Sequence, residues 1–249
     1  MSEVTLYLGD CLEIMRGMEA GSVDAIITDL PYGTTACSWD EVIPFAPMWE
    51  VVKHVLKPRG VFVTTASQPF TSRLINSNLQ WFRYEWIWVK GAPVGFLNAR
   101  RQPLKDHENI VVFSELSHTY NPQGLIETKV KSSRKNGKTK TGGVYGEVKD
   151  REYWAQVGNF PRSVLGIKRI TQNQIHPTQK PVALYEYLIR TYTNEGETVL
   201  DMCAGSGTTG VAAVQTGRNF IGIELRPDYY EIMERRIREA QAQPSLLSP

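Results

Sequence analysis

The sequence predicts an α/β protein built on one doubly wound, mostly parallel sheet. Short runs nearly continuous in Val, Ile and Leu read as strands covered on both faces. Amphipathic helical stretches alternate with them, which is the β/α pattern of such sheets. Size agrees, because 249 residues with 41% hydrophobic, 10% aromatic and 22% charged residues suffice for a large core and exclude wholesale disorder.

Seven strands are expected in order. The first is 4–8, Val-Thr-Leu-Tyr-Leu, and the second is 23–28, Val-Asp-Ala-Ile-Ile-Thr. The third, 60–65, follows an amphipathic helix at 47–56, and a helix at 68–78 leads to the fourth strand at 83–89. Trp81, Trp86 and Trp88 recur near that strand and are expected to fill one face of the sheet. The fifth strand is 109–113, Asn-Ile-Val-Val-Phe. A helix at 180–192 precedes the sixth strand at 198–202, and a helix at 208–215 separates it from the seventh at 219–223. The last helix is 227–242, followed by a Pro- and Ser-containing tail expected to fray.

Between the fifth and sixth strands the alternation stops. Residues 115–175 carry eleven Lys and Arg against five Asp and Glu, a surplus of six in a chain whose net charge is only +2. Lys129, Lys131, Arg134, Lys135, Lys138 and Lys140 fall within twelve positions, with Tyr120, Tyr145, Tyr153, Trp154 and Phe160 interleaved. A basic run can be a solvated surface insertion. Inserted into a Rossmann-like enzyme it reads better as a polyanion-binding module, since Lys and Arg contacts to phosphate supply much of the affinity for nucleic acid. Cys11, Cys37 and Cys203 are an odd number without a C-x-x-C pair, which fits neither a disulfide framework nor a zinc site. No apolar run reaches the roughly 18 residues of a membrane span, and the opening Met1-Ser2-Glu3 does not start a signal segment, so a soluble cytoplasmic protein is expected.

Two motifs carry chemistry. The stretch from Thr198 to Gly210 is a strand, a glycine-rich turn (Ala204, Gly205, Ser206, Gly207) and a helix opening at Thr208, and Glu224 ends the next strand nineteen residues after Gly205. This is the pattern of a nucleotide-type cofactor site, with Glu224 accepting from ribose hydroxyls. Asp201, at the end of the strand, would repel a pyrophosphate on the helix N-terminus but suits a cation. S-adenosylmethionine, with an ammonium and a sulfonium, therefore comes first and a nicotinamide dinucleotide second. In the second motif, the strand at 23–28 runs into Asp29-Leu30-Pro31-Tyr32, which shares the carboxyl edge of the sheet with the glycine turn. An amine conjugated to a base ring is a poor nucleophile, because its lone pair is delocalised. The Asp29 carboxylate and a backbone carbonyl of Leu30 or Pro31 can accept its two hydrogens and free that lone pair, while Tyr32 offers a face for stacking. Trp39 and Asp40, close by, either line the base pocket or order its loop.

With these residues the sequence resembles the DNA amino-methyltransferases. Their D-P-P-Y motif appears as Asp29-Leu30-Pro31-Tyr32, with Leu30 in place of the first Pro, and their cofactor motif as Asp201-Met-Cys-Ala-Gly-Ser-Gly-Thr-Thr209. The catalytic motif comes first, His176-Pro-Thr-Gln-Lys-Pro181 precedes the glycine strand, and Gly9-Asp10-Cys11 lies near the start, an order similar to the circularly permuted beta group. The resemblance implies a Rossmann-like S-adenosylmethionine-dependent methyltransferase fold with a seven-stranded sheet. It divides the chain into a catalytic half (1–114), a target-recognition region (115–175), a cofactor half (176–243) and a tail (244–249).

It further implies that Asp29, Leu30, Pro31 and Tyr32 hold a flipped base in double-stranded DNA. Thr178 and Lys180 would sit near the methionine carboxylate, where a helix N-terminus favours an anion. Asp201, Ala204, Gly205, Ser206, Gly207 and Thr208 would form the methionine side of the pocket, with Glu224 on the ribose and Asp10 and Cys11 flanking the adenine. DNA contacts fall to Arg100, Lys135, Lys138, Lys140, Arg162, Lys168 and Arg169. Asp29 favours adenine N6 over cytosine N4, whose enzymes in this family more often carry Ser there. An RNA base methyltransferase and a catalytically silent DNA-binding relative stay open as alternatives, and because dimers occur in the beta group so does a homodimer. Direct methyl transfer requires no imidazole base or metal. His54, His107, His118 and His176 are accordingly read as structural or surface residues, and Cys203, with no His pattern beside it, as a packing residue.

Overall fold

A computed structural model describes residues 2–35, 37, 40–134, 151–169 and 179–242. They form two compact units, one comprising residues 1–121 and 163–249 and the other Pro122–Arg162. The segment expected as an insertion was wider, since 115–121 and 163–169 belong with the large unit.

In the large unit, β1 (Val4–Leu8) leads through Asp10 into α1 (Cys11–Arg16), a six-residue helix that no sequence periodicity announced. It forms because the Asp10 side chain accepts from the backbone N–H groups of Leu12 and Glu13, satisfying donors that the first turn leaves open. There follow β2 (Val23–Asp29), α2 (Phe45–Val55), β3 (Leu56–Ala66), α3 (Phe70–Ser77), β4 (Phe82–Val94) and β5 (Lys105–Phe113). After the second unit come β8 (Val164–Gly166), α4 (Val182–Tyr192), β9 (Thr198–Asp201), α5 (Thr208–Gln215), β10 (Asn219–Glu224) and α6 (Pro227–Ala242). In the second unit, β6 (Ile126–Arg134) and β7 (Arg151–Gly158) form a two-stranded antiparallel sheet.

Among the described residues the main sheet has eight strands, one more than the seven expected, in the order β1-β10-β9-β2-β3-β5-β4-β8. The additional strand is three-residue β8, too short to register as an apolar run, and it pairs parallel with β4. All pairings are parallel except those of β5, which runs antiparallel to both β3 and β4. The amino-terminal end of β5 therefore lies at the edge where the other strands end. Both β4 and β5 extend further toward that edge than their apolar runs suggest, and the extensions carry Lys90, Lys105 and Glu108.

Both faces of the sheet are covered, which explains the continuous apolar strands. Ala25, Ile27, Val61, Val63, Ile110 and Val112 pack with α4, α5 and α6. Their alternates Ile26, Phe62, Val111 and Phe113 pack with α1, α2 and α3. The tryptophans divide between the two layers: Trp86 and Trp88, two apart on β4, lie in the first, and Trp81, which precedes β4 and the register shift between Phe82 and Tyr84, lies in the second. No helix among the described residues is long and apolar enough to cross a membrane.

Candidate active site

At the carboxyl edge a cleft of about 650 Å³ is lined by Asp10, Cys11, Asp29 to Tyr32, Lys180, Asp201 to Ser206, Thr208 and Glu224. Strand order explains the gathering, since β1, β10, β9 and β2 are consecutive neighbours and each ends in one of these segments. Gly207 is not among the cleft-lining residues. It turns the chain at φ 78°, caps α5 and lies against Met233.

Of the candidate DNA contacts, Arg169 lines the cleft, and its buried Nε has no hydrogen-bond partner among the described residues. Arg100 and Lys168 are exposed and lie outside it, and Arg162, in the second unit, is exposed. Lys135, Lys138, Lys140, Thr178 and Trp39 fall outside the described residues.

The carboxylates at the strand ends are held by local donors. Asp201 is 3% exposed and accepts from the Thr28 hydroxyl at 2.6 Å, the Thr209 hydroxyl at 2.5 Å and the Cys203 N–H at 3.1 Å. Burial raises its pKa from 3.8 to about 6, even though these donors favour the anion. Between about pH 4 and 6 the folded chain thus keeps a proton that the unfolded chain has released. The stabilisation this supplies is complete below pH 4 and lost as pH rises through 6. Asp201→Asn removes that dependence, so the stability of the native chain relative to this variant should fall by about 3 kcal/mol between pH 4 and 7. Urea midpoints of both proteins across that range test it, and a constant difference would mean the buried anion carries no penalty.

Glu224 accepts from Gly205 N at 2.7 Å and Arg226 N at 2.9 Å, which ties the glycine turn to the end of β10. The Cys203 thiol is pushed far up by its hydrogen bond with Cys11, by burial and by the neighbouring carboxylates. It stays neutral, which suits packing rather than attack.

On the β2 side, the Lys180 ammonium lies 2.6 Å from Asp29 Oδ2 and 3.4 Å from Glu108 Oε2, where two carboxylates draw it. Burial alone would lower its pKa, but Asp29 and Glu108 hold it above the ordinary lysine value. Asp29 Oδ1 accepts from the Tyr32 hydroxyl at 2.9 Å and from the Thr65 hydroxyl. The Tyr32 ring stacks on Phe70 with centroids 5.2 Å apart and planes at 29°. Asp40 orders the following loop by accepting from the N–H groups of Gly33, Thr34 and Thr35 at 2.7–2.9 Å.

Sequence reasoning missed Glu108, Lys90 and Lys105. Glu108 accepts from Lys90 at 2.6 Å, and both are nearly buried. Burial would raise the Glu108 carboxyl, but the ammoniums of Lys180 and Lys90, with Lys105, hold it below the usual value. The signal that could have found it is a charged residue immediately before the buried run of β5, legible only once that strand is known to run backwards.

Comparison with known proteins agrees with this architecture. A family model described as DNA methylase matches residues 23–235. The DNA adenine methyltransferase YhdJ of Escherichia coli (strain K12) is 29% identical over 254 residues, covering 94% of this chain and 82% of the relative. The type II methyltransferase M.HpaI of Haemophilus parainfluenzae is 27% identical over 255 residues, covering 93% and 73%. Among solved structures, the M1.HpyAVI–SAM complex is 25% identical with a TM-score of 0.63, covering 94% of this chain and 99% of that one. The cytosine-N4-specific PvuII DNA methyltransferase is 19% identical with a TM-score of 0.69, covering 100% and 89%, a likeness of fold.

Proposed function

The chain belongs to the DNA methylase family, and from that premise we propose that it transfers a methyl group from S-adenosylmethionine to the N6 amine of adenine in double-stranded DNA. The observation that carries the reading is the meeting, in one cleft, of Asp29-Leu30-Pro31-Tyr32 after β2 and the glycine turn after the adjacent β9. The nicotinamide alternative falls with the family. Asp29 and the adenine-named relative favour adenine over cytosine.

The residues present fit the cofactor. A Cβ built on Gly205 meets nothing within 4 Å, so the turn leaves open space, and the cleft volume lies within the usual range for small-molecule sites. Gly205, Ser206 and Thr208 would hold the methionine portion, Glu224 the ribose, and Asp10 and Cys11 the adenine, with Gly207 and Asp201 setting the shape of the turn. When bound, S-adenosylmethionine supplies a methyl group made electrophilic by its sulfonium.

The chain's own residues do the rest. Asp29 and the carbonyl of Leu30 or Pro31 accept the amine hydrogens, aim the nitrogen lone pair and stabilise the positive charge that develops there. Tyr32, backed by Phe70, presents its other face to the extruded base. Target recognition belongs to the segment between β5 and α4, which contains the Pro122–Arg162 unit.

Incubation with methyl-labelled cofactor and unmethylated DNA, followed by nucleoside analysis, tests the reading. Labelled N6-methyladenine is expected. N4-methylcytosine would overturn the choice of base, and no incorporation would overturn the activity. Tyr32→Ala should lose about 1–3 kcal/mol of transition-state stabilisation, the worth of one stacked base. Tyr32→Phe should stay within a few-fold of native turnover, because the ring is kept and Thr65 still holds Asp29. Equal damage from both would transfer the role from the ring to the hydroxyl.

A further inference from the structure

Asp29 is already engaged before any target amine arrives. One oxygen takes the Lys180 ammonium at 2.6 Å, and the other takes the hydroxyls of Tyr32 and Thr65. Because Oδ1 already takes two hydroxyls, the oxygen best placed for the amine is Oδ2, whose one donor is the Lys180 ammonium. Glu108 Oε2 lies 3.4 Å from both Lys180 Nζ and the Tyr32 hydroxyl, but a shift of the ammonium alone clears Oδ2, since Thr65 stays on Oδ1 if Tyr32 leaves. The other Glu108 oxygen is pinned by Lys90 at 2.6 Å.

Burial makes this second acceptor necessary. The side chains of Lys180, Glu108 and Lys90 are 9%, 13% and 10% exposed, so an ammonium leaving Asp29 without another carboxylate would be a buried, unpaired charge, which is strongly unfavourable. With S-adenosylmethionine bound, positive charge would develop on the amine nitrogen held by Asp29. An ammonium still seated on Asp29 would repel that charge.

We propose that Glu108 is a positioning residue that receives the Lys180 ammonium when the target amine engages Asp29, freeing the catalytic carboxylate without stranding a buried charge. The role rests on the methyl-transfer reading and acts through Lys180. Lys90 holds Glu108 in register from β4, and the charged groups facing this carboxylate are Lys90, Lys105, Lys180 and, across Lys180, Asp29.

The test is a double-mutant cycle on the full chain with unmethylated duplex DNA. Glu108→Gln should lower kcat about 10–100-fold, the scale of lost outer-shell support, while KM for the cofactor stays within about twofold. In a Lys180→Met background, where no ammonium needs a seat, Glu108→Gln should cost less than about threefold more. Native-like turnover of Glu108→Gln, or multiplication of the two single effects, would overturn the proposal. If Glu108→Gln does not fold, Glu108→Asp keeps the charge but withdraws the oxygen from Lys180 by one methylene. It should show the same loss of kcat, and native kcat there would overturn the idea equally. A native protein that methylates no DNA defeats the methyl-transfer reading and this one with it, whereas an active native protein with an active Glu108→Gln defeats this one alone.

Discussion

Asp29→Ala should lower the single-turnover rate of methyl transfer by about 10²–10³-fold, the scale on which losing one preorganised partner of a developing charge is felt. The affinity for S-adenosylmethionine should change by less than about threefold, because the glycine turn and Glu224 are tied to each other rather than to Asp29. Folding should survive. Lys180, the group most exposed to the loss, retains Glu108 at 3.4 Å, and the Asp29 side chain is a quarter exposed, so no deep cavity opens. Rapid-quench measurement of methyl incorporation beside equilibrium cofactor titration separates the two effects. Turnover within tenfold of native would remove Asp29 from the chemistry, and a parallel collapse of cofactor affinity would make it a structural residue of the cleft.

Gly207→Val should cost about 3–5 kcal/mol of stability and abolish cofactor binding. Gly207 sits at φ 78°, a region that β-branched residues rarely enter, and an added Cβ would come within 3.0 Å of the Met233 Cα and 2.8 Å of its Cγ. The Cα belongs to the backbone of α6, so relief demands movement of a packed helix rather than a rotamer change. Gly205→Ala is the internal control. Its φ is also positive, 51°, but nothing lies within 4 Å of the new Cβ, so the cost should be about 1–2 kcal/mol from backbone conformation alone. Urea unfolding of both variants distinguishes a packing constraint from a conformational one, and equal losses would contradict the assignment of Gly207 to close approach.

The strands of the central sheet were legible because burial on both faces writes a continuous apolar run, as in β2 and β5. The glycine turn was legible because its glycines and flanking acids keep a fixed spacing along the chain. The ion cluster was not. Asp29, Lys90, Glu108 and Lys180 are joined only through space, and the reversal of β5 that brings Glu108 to the edge leaves no mark in periodicity. Three-residue β8 and the capped helix α1 lie below the length at which a repeat can be counted. The ion pair of Lys180 with Asp29 at the end of β2 likewise joins residues 151 positions apart.

Pairing of β1 with β10 joins two segments far apart along the chain. Val4 lies opposite Phe220, and β1 is an edge strand whose single partner in the sheet is β10. The two strands that pair are separated by more than 200 residues of sequence. Meanwhile β2 with β3, and β4 with β5, can zip at short range. Closure over so long a loop is entropically slow. Because Asp10 follows β1 and Glu224 ends β10, the cofactor's half of the cleft exists only after that closure. A ligand seated there holds the segments around Asp10 and Glu224 together, and its concentration should set how long β1 stays docked.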